Sequence, residues 1–509
     1  MAENTKDFLL VLIQNLSKSE KRQFRLYVNR LGINTQAKFL LLFDHLDKTD
    51  TYDESKIIEQ KITTKQQLSN LKAHLYRQIL ISLRTNPSNQ SNEILIREQI
   101  DFATILYNKG LYKQSLKILE KAKQMSLSLE EKDMAYVVIE FEKIIESQYI
   151  TRSISTRADD LIRDATSLRK LNVLNSKLSN ISLKLYSMML ANGFAKNEKE
   201  KRRIEIFFLR HMPKELPINM GFREKLWYYK SYVWKYLLLQ DFVKVYRYAL
   251  HLINLFYSRE NMIKIHPVWF IKSHSYLFNT LFFLRKKQKF SFWLLKFEEV
   301  LRALYPKNGN VEAVAFTTLY NARLNFIFLS GDHTNGEALI REINIQKEFH
   351  SLKLDAHHLL ILRFKIASLR FINRKYGKCM EELEKIIYHK STLIREDLYF
   401  NSRILFLMSM FDSGLDENMD EFLGETEKFY KKMVHKTEFC RLSIELFRKL
   451  YNAPPTEKRT VAKNYAAKYK KIGSETYNKR SFAYLDVISW LESVYLKRDL
   501  LEITREKFS

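Results

Sequence analysis

Apolar residues recur along this chain at spacings of three and four, the rhythm of helices buried on one face. Ser17-Lys18-Ser19-Glu20 opens the first clear example, with Ser17 placed to cap and Glu20 to reach back. Phe24, Tyr27, Val28 and Leu31 follow as one stripe, and Gly32 stands where a helix end takes a left-handed residue. A second helix carries Phe39, Leu42, Phe43 and Leu46, and a short one follows Asp53. The longest opens at Thr64, with Gln67 completing a second capping box. It bears Leu68, Leu71, Leu75, Ile79 and Leu83 on one face. Asn86-Pro87 ends it, and residues 88–92 read as a linker.

Beyond the linker one spacing repeats. Ile96, Ile100, Ala103 and Tyr107 share a face, Gly110 turns the chain, and Tyr112, Ser115, Leu119 and Ala122 follow. The small residue is expected where two helices approach most closely, because a large side chain there would force them apart. Similar sets stand at Ser155-Ala158-Ile162-Ala165, Phe242-Val245-Ala249-Leu252 and Phe290-Trp293-Phe297-Leu301. Others stand at His333-Gly336-Ile340-Ile343 and Tyr376-Cys379-Leu383-Ile386. Most steps are about 43 residues, with weaker steps falling near 199 and 419. The aromatic, small, large and Ala positions resemble the second half of a tetratricopeptide repeat, whose usual period is about 34 residues. The resemblance implies an α-solenoid of antiparallel helix pairs whose concave surface holds an extended segment or helix of another protein. The opening Leu16-Ser17, Glu20, Phe24 and Leu41-Leu42-Phe43 also resembles the start of uncharacterised bacterial helical-repeat proteins, which implies no activity. The expected organisation is an N-terminal bundle or cap over 1–88, repeats over 92–455 and closing helices over 456–509.

Composition agrees with an all-α class. Only 11 Gly and 7 Pro occur in 509 residues, too few for the tight turns of a strand-rich fold. Two cysteines, Cys379 and Cys440, do not make a disulfide framework. The apolar run Phe8–Ile13, preceded by Glu3 and Asp7, does not read as a signal peptide. No stretch of about 18 apolar residues suits a membrane span. Around Tyr236 to Phe256, Asp241, Lys244 and Arg247 interrupt the longest candidate. A cytoplasmic protein without membrane insertion is expected.

The net charge of +27 widens the choice of partner to polyanions. The most unusual stretch is Phe222–Val300, which holds 22 aromatic residues, including Trp227, Trp234, Trp269 and Trp293, and 14 Lys or Arg against 5 acids. Such mixing suits nucleic acid, where cations meet phosphates and rings meet bases, and it suits a protein groove equally. Stripes such as Leu226, Tyr229, Val233 and Tyr236 read as core. Arg285, Lys286, Lys287 and Lys289 fall in a turn between two aromatic helices, and Lys201, Arg202 and Arg203 in a loop-like segment. These seven are the candidate polyanion or partner contacts.

Enzyme chemistry finds no purchase. Gly-rich phosphate loops and the common zinc signatures are absent. Asp355, His357 and His358 form the densest ligand-like group, but adjacent helical histidines point about 100° apart. Cys379 occupies a small-residue slot, and Glu381 and Glu382 pair with Lys385 on an exposed face. No catalytic residue, cofactor or metal is expected. The leading expectation is a protein-binding scaffold. The alternatives are an RNA- or ribosome-associated protein and a DNA-reading regulator using Lys65, Lys72, His74 and Arg77.

Overall fold

A computed structural model describes residues 7–32, 37–89, 91–148, 156–218, 220–304, 309–333, 335–350, 354, 356–389, 395–415, 418–474 and 485–508. Among them are 25 α-helices and no strand. The chain divides into two compact units, Met1–Arg169 and Lys170–Ser509.

Unit 1 contains α1 (Phe8–Asn15), α2 (Lys18–Arg30), α3 (Lys38–Asp47), α4 (Glu54–Glu59), α5 (Lys65–Thr85), α6 (Asn92–Asn108), α7 (Tyr112–Ser128), α8 (Lys132–Gln148) and the start of α9 (Arg157–Asn192). The Ser17 capping box forms in full: Glu20 N–H donates to Ser17 Oγ at 3.2 Å, and Ser17 N–H donates to the Glu20 carboxylate at 2.8 Å. The second box does not form. Thr64 makes no side-chain cap bond, and the Gln67 amide oxygen accepts from Lys38 at 3.2 Å instead of reaching back to the Thr64 N–H. Phe24, Val28, Leu42, Phe43, Leu75 and Ile79 make one core; Ala103, Leu119, Ala122, Val138 and Ile145 make another. Ser115 is fully buried between α6 and α7, where its hydroxyl donates to Ala103 O at 2.8 Å. The set at 155–165 is displaced. Ser155 lies outside the described residues, Ala158 is exposed, and Ile162 is 58% exposed. Leu161, Ala165 and Leu168 are the residues of α9 that meet Ala135 and Ile139 on α8.

Unit 2 holds the rest of α9, then α10 (Glu198–His211), α11 (Phe222–Leu238), α12 (Phe242–Tyr257), α13 (Asn261–Ile265), α14 (Pro267–Phe283), α15 (Lys287–Ala303) and α16 (Gly309–Ser330). It continues with α17 (Gly336–His350), α18 (Ala356–Ile372), α19 (Tyr376–Ile387), α20 (Glu396–Ser413), α21 (Met419–Lys432), α22 (Glu438–Asn452), α23 (Lys458–Ser474), α24 (Val487–Leu496) and α25 (Leu500–Phe508). Helices α14, α16, α18 and α20 pack each on the next, while α12, α15, α17 and α19 pack against members of this row. The unit also closes on itself. The His435 ring meets Ala191 O and Lys196 Nζ, each at 3.1 Å, and Arg505 Nε donates to Gly331 O at 3.3 Å.

One turn recurs between helices. A residue with positive φ donates its N–H three residues back, and the next N–H reaches five residues back, which satisfies the last carbonyls of the preceding helix. Gly110 does this, and so do Glu130, Gln240, Arg285, Arg374 and Gly414. Four of these six are not glycine, although the left-handed region costs such residues about 1 kcal/mol or more.

Gly336, at the small-residue position of its set, has real closeness to answer for. A Cβ there would lie 2.4 Å from Leu369 Cδ2, and Leu369 is fully buried. Gly336→Ala is expected to destabilise unit 2 by about 1–3 kcal/mol through overpacking. Urea unfolding checks this, and an unchanged midpoint would show that Leu369 moves freely.

Candidate binding cavity

Both large cavities belong to unit 2. The larger, about 710 Å³, is lined by α9, α11, α14, α16, α18 and α20, with two residues of α12. Alternate helices thus face it, and the intervening ones stand behind. On α9, Leu183, Tyr186 and Leu190 repeat at helical spacing but stay uncovered, with Leu183 65% exposed. Trp227, Trp234 and Trp269 complete an apolar wall and are half-buried. Their rings meet neighbours edge-on: Trp227 against Trp269 at 5.9 Å, and Trp234 against Tyr276 at 5.6 Å. A second cavity of about 600 Å³ shares Phe242, Phe283, Asn325, Phe364 and Lys365 with the first, so Lys365 stands at their junction.

The charges in the larger cavity are uneven. Its lining includes Lys230, Lys272, Lys365 and Arg395 but only one carboxylate, Asp397. Arg395 holds that carboxylate through two bonds of 2.7 and 2.8 Å. Among the described residues the three lysines have no acidic partner. The Lys365 ammonium is enclosed by protein and donates only to the main-chain carbonyl of Asn321, at 3.5 Å. Burial pulls its pKa down to about 7. Burial, and then the neighbouring charge of Lys272, pull Lys230 down to about 8; its ammonium lies 4.5 Å from the Trp227 ring centre. Beside them the Asn321 side-chain oxygen is buried without a donor among the described residues. In the smaller cavity both ring nitrogens of His333 are likewise unpaired, and burial lowers its pKa to about 4.

The residues singled out from sequence scatter. Arg285 lines the smaller cavity and forms the left-handed turn before α15. Lys286, Lys287 and Lys289 are exposed around the start of α15; Lys287 donates to Ser330 O at 3.4 Å, and Lys289 lies 5.2 Å from the Tyr246 ring centre. Lys201, Arg202 and Arg203 are not in a loop. Asn197 caps α10 by accepting from Glu200 N–H at 2.9 Å, which makes the charged run helical, and Lys201 pairs with Glu198 at 3.2 Å. None of these three lines either cavity. Asp355 and the side chain of His357 lie outside the described residues, and His358 lines the larger cavity. Glu382 is more than a solvated acid: besides Lys385 it holds Arg363 at 2.8 Å and Arg370 at 3.6 Å, and against the pull of burial Lys385 and Arg363 keep its carboxyl below the usual range. Cys379 is buried, accepts from Ser409 at 3.4 Å, and has its thiol pushed up to about 12 by burial, which removes it as a nucleophile. In unit 1, Lys72 pairs with Asp7 and lies 4.3 Å from the Tyr52 ring centre.

Among the described residues no three His, Cys, Asp or Glu side chains are grouped to hold a metal, and no helix is long and apolar enough to cross a membrane. Comparison with family models, curated proteins and solved structures returns no match.

Proposed function

We propose that this chain is a non-enzymatic binding scaffold, a tetratricopeptide-like α-solenoid that holds an extended segment of a partner protein in the larger cavity of unit 2. The observation that carries this reading is a concave wall built from alternate helices, along which Leu183, Tyr186 and Leu190 remain open beside three half-buried tryptophans. A monomer gains nothing from leaving such an apolar stripe uncovered, and interface anchors are drawn from these residue types. The spacing of the positive-φ turns at Gln240, Arg285, Gly331, Arg374 and Gly414 supports a repeat of about 43 residues. In the repeat reading, α11, α14, α16, α18 and α20 are the inner helices.

The test is comparative capture from the native cells with nuclease present. Wild type is expected to retain a defined partner protein that the variant Leu183→Glu with Leu190→Glu loses while keeping its melting temperature. Equal capture by the two would remove the cavity from the account.

A second reading, RNA binding, is favoured by the exposed cations of the α14–α15 turn. Changing Arg285, Lys286, Lys287 and Lys289 to Glu is expected to leave partner capture unchanged. Recovery of RNA by wild type, lost in this folded variant and above moderate salt, would transfer the function to that surface.

A further inference from the structure

Ammonium groups are rarely enclosed without a counter-ion, because losing hydration costs several kcal/mol per charge unless something nearby compensates. Unit 2 sets three around one cavity, and two of them, Lys230 and Lys365, are deeply buried. Lys230 comes from α11, Lys272 from α14 and Lys365 from α18, and the one carboxylate in the lining is already bound by Arg395. The buried, donorless Asn321 oxygen sits on the same wall.

We infer that these lysines form an anion subsite and that the partner segment is acidic, with one carboxylate seated between Lys230 and Lys272 and another on Lys365. This rests on the scaffold reading above and gives it a ligand chemistry. The Asn321 Oδ1 atom accepts a backbone N–H of the segment. The apolar wall of Trp227 and Trp269 excludes water and so strengthens each charge-assisted bond. Helices α14 and α18 are separated by α16 alone. With interaxial distances of roughly 8–10 Å, and with Lys365 leaning onto α16, the two subsites stand roughly 10–20 Å apart. An extended chain covers that in roughly three to six residues.

A peptide suits the cavity better than a single-stranded nucleic acid. Base stacking needs open ring faces. Here Trp227 and Trp234 are met edge-on by Trp269 and Tyr276, and the Lys230 ammonium lies against Trp227. A phosphodiester chain would also bring a charge with every nucleotide to a site with three free cations.

Fluorescence anisotropy of the full chain at physiological salt tests this with labelled ten-residue oligoglutamate, oligoglutamine and oligouridylate. Oligoglutamate is expected to bind at least about ten-fold more tightly than oligoglutamine, and Lys230→Met and Lys365→Met are each expected to weaken it about ten-fold or more. Lys113→Met with Lys117→Met, on the exposed face of α7, controls for general charge and is expected to change little. Thermal melts confirm that each variant is folded. Equal binding of the two peptides overturns the inference. So does unchanged oligoglutamate affinity in the folded Lys230 and Lys365 variants, or tighter, lysine-dependent binding of oligouridylate. Loss of partner capture in the Leu183 and Leu190 variant stands apart from all three outcomes, so the scaffold reading survives if only the subsite fails.

Discussion

Replacing Lys365 by Met is expected to make the unliganded protein more stable at neutral and mildly acidic pH. Met keeps most of the stem and removes the charge. In the unfolded chain this amine titrates near 10.5, and in the folded protein it titrates at about 7. Below pH 7 both states hold the proton, so the full penalty of enclosing the ammonium is present. Between pH 7 and 10.5 the folded protein has released a proton that the unfolded chain retains, so wild-type stability rises with pH. The advantage of Lys365→Met is therefore largest below pH 7 and fades toward pH 10. One pKa unit corresponds to about 1.4 kcal/mol, which sets a ceiling on the order of 5 kcal/mol; water in the cavity reduces it, and about 2–4 kcal/mol is expected near pH 6. Urea unfolding at pH 6 and pH 9.5, with tryptophan fluorescence as the probe of unit 2, measures it. A variant less stable than wild type at pH 6 would mean that the ammonium is compensated, and the anion subsite would lose its physical basis. Gaining stability while losing a ligand is the pattern of a residue kept for binding.

The helical class was legible because its signals are local: few glycines and prolines, stripes at spacings of three and four, and a capping box at Ser17 that forms as read. The turns were half hidden. Gly110 and Gly414 mark two of them, but Glu130, Gln240, Arg285 and Arg374 occupy the same left-handed position, where a sequence reading looks for glycine. The Ser155 set misled because α9 is one 36-residue helix, and the face it buries against α8 is set by Leu161 and Leu168 rather than by a turn. Lys201, Arg202 and Arg203 read as a loop because a polar run carries no stripe, yet Asn197 caps it and Ile204 and Phe208 bury its far face. The cavity was less legible still. The aromatic stretch pointed to α11 and α14, whose tryptophans do line it. The lysines that give it charge looked ordinary one by one. Lys365 left a trace, a cation set directly between the apolar Phe364 and Ile366. That Lys365, Lys272 and Lys230 line one cavity is a property of helix packing, and no spacing along the chain encodes it.

Unit 1 holds buried charges that do have partners within the fold. Glu142 on α8 is fully buried, and its two oxygens meet Lys123 Nζ at 3.4 Å and Arg157 at 3.1 Å; Lys123 also reaches Glu120 at 2.7 Å. Burial still holds the Glu142 carboxyl above its ordinary range against the pull of both cations. The network is thus a junction of α7, α8 and α9 rather than a large source of stability. Glu142→Ala is expected to lose about 3–5 kcal/mol locally, because it leaves Lys123 and Arg157 facing each other across an apolar seam. The triple change Lys123→Met, Glu142→Leu and Arg157→Met is expected to recover most of that loss, since it removes the desolvation penalty together with the pair. Hydrogen exchange of the α7 and α8 amides over a urea series reads both. A single variant within about 1 kcal/mol of wild type would show that water reaches the site and that the ions are not enclosed. The recovery matters for unit 2 as well. If charges that have partners can be replaced by apolar side chains with little loss, then Lys230, Lys272 and Lys365, which have none, are not held in place by what they do for folding.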